Sequence, residues 1–303
     1  MSDAKPKTAD GYNPDITAAC ERALVTLLGA FGTFKSTVRL IGGLVPRYLT
    51  PERPPEVPAH AGTSDLDIVL NIEVLADGEG YASLADQLKA RGFSRQVNDK
   101  GVATAWRWKL QVDEHVFVVV DFLRDKKAGD PAKAVPIDGE RVSAMPIDHA
   151  GIVHDWFMER EIGADLLNGG GFSNETARYA DVPAFIILKA LALDDRQENK
   201  DAADLIHVLR HAGTPEEVAD LFAARHASGK HREAFDAGMR ALRVRFCDDD
   251  MSPGYKKVGP VAYANFWGFE EPDQKNREQR FASGLVSLVL KLIEERLAKA
   301  QPE

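Results

Sequence analysis

Cysteine is almost missing from this chain of 303 residues: Cys20 and Cys247 stand far apart, with no second cysteine or ligand-spaced histidine beside either. That scarcity excludes a disulfide framework and a cysteine-based zinc site, and leaves two reduced thiols. Long hydrophobic runs are missing as well. No stretch approaches the roughly 18 consecutive apolar residues of a membrane span, and the N-terminal MSDAKPKTADGYNPD lacks the apolar core of a signal peptide. The expectation is a cytoplasmic protein with no membrane partner. Positive charge is in deficit, 38 Lys and Arg against 47 Asp and Glu, for a net charge of −9. This argues against a broad, charge-driven nucleic-acid surface while permitting a local basic groove.

What is present is ordinary globular material, 44% hydrophobic and 28% charged, in a chain long enough for one large or two modest domains. Its most informative stretch runs from Arg39 to Leu70. RLIGGLVPRYL ends an apolar run on Gly42-Gly43, and after a proline-rich insert GTSDLDIVL sets Asp65 and Asp67 among Leu66, Ile68 and Val69. In a strand, residues two apart share a face, so the two carboxylates project together, about 6–7 Å apart along the chain. Two like charges aimed at one spot call for a cation between them, and hard oxygen ligands suit Mg²⁺. Gly42 and Gly43, directly after a strand, let backbone N–H groups approach a phosphate closely. Each signal alone has a plainer explanation, a tight strand-to-helix turn or an acidic strand end. Thr63-Ser64 before the first Asp, and a third carboxylate downstream, make the set more specific.

That third carboxylate is Asp121, placed at the end of HVFVVVDFL, the most strand-like segment in the chain and one expected to be buried on both faces. A buried Asp needs a partner, and a metal shared with Asp65 and Asp67 explains all three acids at once. With its Gly-Gly, its Asp-hydrophobic-Asp pair and its third Asp, the sequence resembles the nucleotidyltransferase superfamily of DNA polymerase β-like fold.

Along the rest of the chain, residues 1 to about 13 read as a loose tail, and Asp15 is positioned to cap a helix to about Phe31. A strand follows at about Thr37 to Ile41. PERPPEVPAHAG, residues 51–62, holds four prolines and reads as an irregular loop or substrate rim. Tyr81 to Arg91 reads as a helix, and Thr104–Leu110 and His115–Leu123 as a hairpin; Ile137–Ile147 offers one or two short strands. Beyond them VPAFIILKALALDDRQENKDAADLIHVLRHAG reads as an apolar helix broken near Asp195–Asn199 and resumed from Lys200. Three further helices are expected over Glu216–Ala227, His231–Phe246 and Glu278–Lys299. Arg240, Arg243, Arg245, Lys256 and Lys257 make that region locally basic, a solvated helix face first and an RNA contact second. The expected fold is α+β, a mixed-sheet domain over residues 1–150 followed by a mainly helical domain over 151–303.

Lys189, Arg196 and Lys200, followed by Asp201 and Asp204, resemble the block after the catalytic sheet in the AbiEii-type toxin branch of the same superfamily. The resemblance implies Mg²⁺, with Mn²⁺ as a substitute, held by Asp65, Asp67 and Asp121, with Asp121 also taking the acceptor proton. It implies an NTP, ATP among the choices, whose phosphates are cradled by Gly42, Gly43, Thr63 and Ser64. Lys189 would face those phosphates, and Arg196, Lys200, Asp201 and Asp204 would brace or complete the nucleotide site, set in a cleft between the two domains. The implied reaction is transfer of a nucleoside monophosphate to an acceptor hydroxyl on tRNA or another RNA, by a toxin with a cognate antitoxin. Small molecules of antibiotic type or proteins are alternative acceptors, and a non-catalytic NTP-binding interaction protein is the alternative of another class.

Overall fold

The computed structural model describes residues 6–51, 53, 56–71, 83–97, 100–114, 116–167 and 170–299. The start of the expected tail, part of the proline-rich insert, the Tyr81 end of one helix and His115 lie outside the described residues. The chain divides into two units: a sheet unit of Asn13–Val45 and Gly62–Ala180, and a helical unit of Met1–Tyr12, Pro46–Ala61 and Asp181–Glu303.

The sheet unit is built on strands β1 (Val38–Ile41), β2 (Asp65–Leu70), β3 (Phe93–Val97), β4 (Ala103–Gln111), β5 (Phe117–Asp125), β6 (Val135–Ile137), β7 (Val142–Ile147), β8 (Phe157–Asp165) and β9 (Phe172–Ala180). The strand order is β3-β4-β5-β2-β1-β9-β8, with β7 pairing β5 and β6. β1 runs antiparallel to β2 and parallel to β9, and β2 runs parallel to β5, so the sheet is mixed. The helix Pro14–Phe31 turns Ala23, Leu24, Leu27, Leu28 and Phe31 inward, and the Phe31 ring meets Phe122 of β5 edge-on, 6.1 Å between centroids. Its cap is Asn13 rather than Asp15: the Asn13 side chain accepts from the Asp15 backbone N–H at 2.8 Å, with Pro14 in the first turn. The helix Leu84–Ala90 covers another part of the sheet through Leu84, Ala85 and Leu88.

Two differences from the sequence reading matter for the site. β5 runs past Asp121 to Asp125, because its last residues gain a parallel partner: Leu123, Arg124 and Asp125 lie opposite Met145, Pro146 and Ile147 of β7. Asp121 therefore sits inside a strand with neighbours on both sides. The second difference is the hairpin β8–β9, which adds to the sheet the residues beyond a boundary at 150. FMEREIGAD and FSNETARYA have little apolar alternation, and the hairpin is carried by nine backbone pairs from Phe157↔Ala180 to Asp165↔Phe172, with cross-strand contacts such as Arg178–Glu159 at 2.6 Å. Pairing of that kind is not written in the periodicity of either strand.

In the helical unit, Val182–Arg196 is capped by Asp181, whose side chain accepts from the Ala184 N–H at 3.0 Å; it ends at Gln197 in the left-handed region and gives way to Asn199–His211. Arg232–Phe246 packs on the first of these, with Gly238 against Ile187. Pro272–Lys299 packs on Pro215–Ala227 and on Val258–Trp267, a helix the sequence reading did not single out. Among the described residues, no helix is long and apolar enough to cross a membrane.

Candidate metal centre

β2 and β5 are parallel neighbours in register, Asp67 opposite Asp121, and Asp65 shares Asp67's face two residues earlier. The backbone alone thus brings the three acids together: one carboxylate oxygen from each lies within 4.8 Å of the others. Asp65 and Asp121 are buried and Asp67 half-buried. Holding two buried carboxylates and a half-buried third side by side costs far more than isolated surface acids do, unless cationic charge offsets them. Arg107 of β4, opposite Asp121, supplies part of it: Nε donates to Oδ1 and Nη2 to Oδ2, both at 2.6 Å. That hydrogen-bonded fork, aided by the charges of Asp121, Asp65 and Asp67 and opposed by burial, holds the guanidinium above its ordinary pKa.

The glycine turn and the threonine position this face. Gly42 has φ +77°, in the left-handed region, and a Cβ there would overlap the Asp67 carboxylate. Glycine at 42 is therefore required twice, by conformation and by the approach of Asp67. Gly43 is buried in the 3-10 turn Gly42–Leu44 that follows β1. Thr63 Oγ1 donates to Asp65 Oδ1 at 3.0 Å. Thr63 is itself anchored to the helix Pro14–Phe31, its N–H donating to Thr17 Oγ1 at 3.1 Å. Ser64 is half-buried at the bend that opens β2. Cys20, from the same helix, points its thiol at the Thr63 carbonyl, 3.9 Å away. Burial, and then the charge of Asp65, push that thiol's pKa well up, so it stays a neutral SH.

The other predicted residues form a separate cluster inside the helical unit. Lys189 Nζ lies 2.9 Å from Asp201 Oδ1 and 2.8 Å from Asp204 Oδ2. Arg196 forks onto Asp201 at 2.7 and 2.8 Å, and Lys200 meets Asp204 at 2.6 Å. His60, on the proline-rich insert, holds the same Asp204 oxygen as Lys200, Nε2 to Oδ1 at 2.8 Å. Burial opposes the charge on Lys189, and Asp201 and Asp204 more than reverse it, so its pKa stands above the ordinary lysine value. Asp204 is held well below the carboxylate range: burial would raise it, and Lys189 and Lys200 outweigh burial. His207 continues the cluster, its Nε2 3.1 Å from Thr50 Oγ1, with its ring 5.0 Å from those of His60 and His211.

Sequence reasoning missed Arg107 and His60. Trp106-Arg107 sits in a segment read only as a strand, and its sole signal is register: Arg107 becomes meaningful once β4 is laid antiparallel on β5 and the pair at Asp121 is counted. Three of the five basic residues named in the Glu216–Lys299 region pair with acids. Arg243 pairs with Glu294, Arg245 with Asp194 at 2.6 Å and Lys257 with Asp249 at 2.6 Å. This fits a solvated helix face better than a phosphate-binding one.

No protein-family model matches the chain, and no curated protein matches it. Among solved structures the chain is similar to the crystal structure of JHP933 from Helicobacter pylori, at 10% sequence identity and a TM-score of 0.40, over 95% of this chain and 97% of that one. A likeness of that size carries no argument about chemistry.

Proposed function

We propose that the protein is a divalent-metal-dependent nucleotidyltransferase that moves a nucleoside monophosphate from an NTP to an acceptor hydroxyl. The observation that carries the reading is the convergence of Asp65, Asp67 and Asp121 within 4.8 Å on adjacent strands, beside a Gly-Gly turn whose first glycine, Gly42, has no room for a side chain. Three carboxylate oxygens are the donor set that Mg²⁺, or Mn²⁺ in its place, accepts. A bound ion would supply charge neutralisation for a polyphosphate and a lower pKa for a hydroxyl. The chain's own residues do the rest. Thr63 fixes the Asp65 carboxylate, and Gly42 leaves the space that Asp67 occupies. Asp121 takes the proton as the acceptor oxygen bonds to the α-phosphorus, and the bond to the β-phosphate oxygen breaks to release pyrophosphate. Gly42, Gly43 and Ser64 border the phosphates. Lys189, Arg196, Lys200, Asp201 and Asp204 satisfy one another inside the helical unit, so the transfer itself is assigned to the three aspartates.

RNA is the acceptor nominated by the toxin-like block around Lys189, with an antitoxin as its natural partner. A small-molecule acceptor is favoured by a different observation, the net charge of −9 together with the pairing of Arg243, Arg245 and Lys257 to nearby acids. The deciding experiment is incubation with each α-labelled NTP and Mg²⁺ in the presence of total RNA, of cell protein, or of small molecules, resolved by size. Label on one acceptor class that is lost in D65N and D67N, both retaining the wild-type circular dichroism spectrum, is the expected outcome. Undiminished labelling by the D65N/D67N double variant overturns the reading.

A further inference from the structure

Arg107 is a strongly placed residue of this face for which the transfer chemistry above has no task. It stands on β4 directly opposite Asp121, and its guanidinium takes both oxygens of that carboxylate at 2.6 Å. Asp121 is also one of the three acids that meet within 4.8 Å. A guanidinium and a divalent cation thus call on the same carboxylate, and at such separations they repel one another. The two partners are not equally fixed. The Asp121 side chain is 7% exposed and that of Arg107 is 35% exposed, so the arginine is the one free to move. Its Cζ also lies 4.6 Å from the centre of the Trp106 ring while it holds Asp121, an aromatic contact that does not depend on the carboxylate. The fork that fits a carboxylate also fits two phosphate oxygens.

We infer that Arg107 is an exchangeable counter-ion of the metal centre, competing with the divalent ion for Asp121 and, once displaced, gripping the phosphate oxygens of the incoming nucleoside triphosphate. The inference rests on the metal-dependent transfer proposed above and adds to it an order of events: metal and polyphosphate support each other, because the second takes up the arginine that the first releases. Arg107 is then a positioning residue toward the metal and a binding residue toward the substrate.

The test is Mn²⁺ binding by the full chain, followed by the electron paramagnetic resonance of the free ion, for wild type, R107Q, R107K and D67N. A second titration uses tripolyphosphate at saturating Mg²⁺. R107Q is expected to bind Mn²⁺ about tenfold more tightly than wild type, the scale on which neighbours of metal ligands act, and to bind Mg²⁺–tripolyphosphate about tenfold more weakly. Opposite shifts in a single variant are what a merely structural arginine would not produce. R107K keeps the charge and loses the fork, so it is expected to bind Mn²⁺ more tightly than wild type, and it carries the same test if R107Q fails to fold. Mn²⁺ affinity in these variants equal to or weaker than wild type, with D67N abolishing binding, overturns the inference and leaves the metal reading standing. Unchanged binding of Mg²⁺–tripolyphosphate overturns its phosphate half. Mn²⁺ binding that is absent from wild type, or indifferent to D67N, overturns the metal reading itself and the inference with it.

Discussion

Gly42 is the residue at which conformation and chemistry are least separable. Its φ of +77° is one that an L side chain reaches only with strain, and the space where a Cβ would stand is filled by the Asp67 carboxylate. Gly42→Ala is expected to destabilise the sheet unit by about 1–3 kcal/mol and to weaken Mn²⁺ binding by pushing Asp67 off the shared face. A denaturant midpoint and a Mn²⁺ titration on the same variant check both, and an alanine variant with wild-type values for each would contradict this account. The sequence flagged the glycines and the acids as separate signals. It did not show that the first glycine is required by the second acid, because 24 residues, the proline-rich insert among them, separate Gly42 from Asp67 and only the pairing of Ile41 with Asp67 closes that gap.

At the scale of elements, the helices Val182–Arg196 and Asn199–His211 are tied by one lysine placed among apolar side chains. Lys189 meets an acid from each of two successive turns of the second helix, Asp201 and Asp204, while Arg196 and Lys200 balance what remains. An ion cluster of this depth is costly to break on one side, since the deserted carboxylates stay buried. Lys189→Met is therefore expected to lower stability by about 3–5 kcal/mol, read from denaturant unfolding of the helical unit. A variant that kept wild-type stability and lost labelling would return Lys189 to the phosphate-facing role that the sequence resemblance implied. Spacing alone made the two helices and the break between them legible, through the apolar run, Pro183 and the polar stretch before Lys200. The partners of Lys189 were not legible, because which acids a lysine meets depends on how two helices are laid side by side.

Across the whole molecule, several histidines are kept neutral by burial. His207 is pulled down to about 3 and His154 to about 4, and His60 is lowered despite the adjoining Asp204. The unfolded chain protonates these rings near the ordinary 6.5 while the folded chain does not, so the unfolded state binds more protons below that pH. Stability is therefore expected to be full above about pH 6.5 and to fall as the pH drops toward 4. The slope approaches 1.4 kcal/mol per pH unit for each histidine held neutral, at most about that value. Asp201 and Asp204, whose folded pKa values are lowered, add a further loss of the same sign below about pH 4. Denaturant midpoints measured from pH 8 to pH 4 check this, and His207→Gln should flatten the upper part of the curve. A midpoint that stays level between pH 7 and pH 5 would show that burial does not hold these rings neutral.

By itself the sequence determined which segments are strands and helices wherever a local period or a stop signal is strong, and it set the chemical character of the site. Asp65 and Asp67 share a face because a strand has a period of two, and nothing distant is needed for that. Tertiary structure alone decided the rest. The parallel register that puts Asp121 opposite Asp67 and the capture of β9 by β1 depend on backbone pairing between segments far apart in the chain, and within the local hairpin of β4 and β5 the register that brings Arg107 onto Asp121 is set by backbone pairing that neither strand's period states. Register of that kind is fixed by the fit of whole faces against the core, so no single stretch of residues carries it.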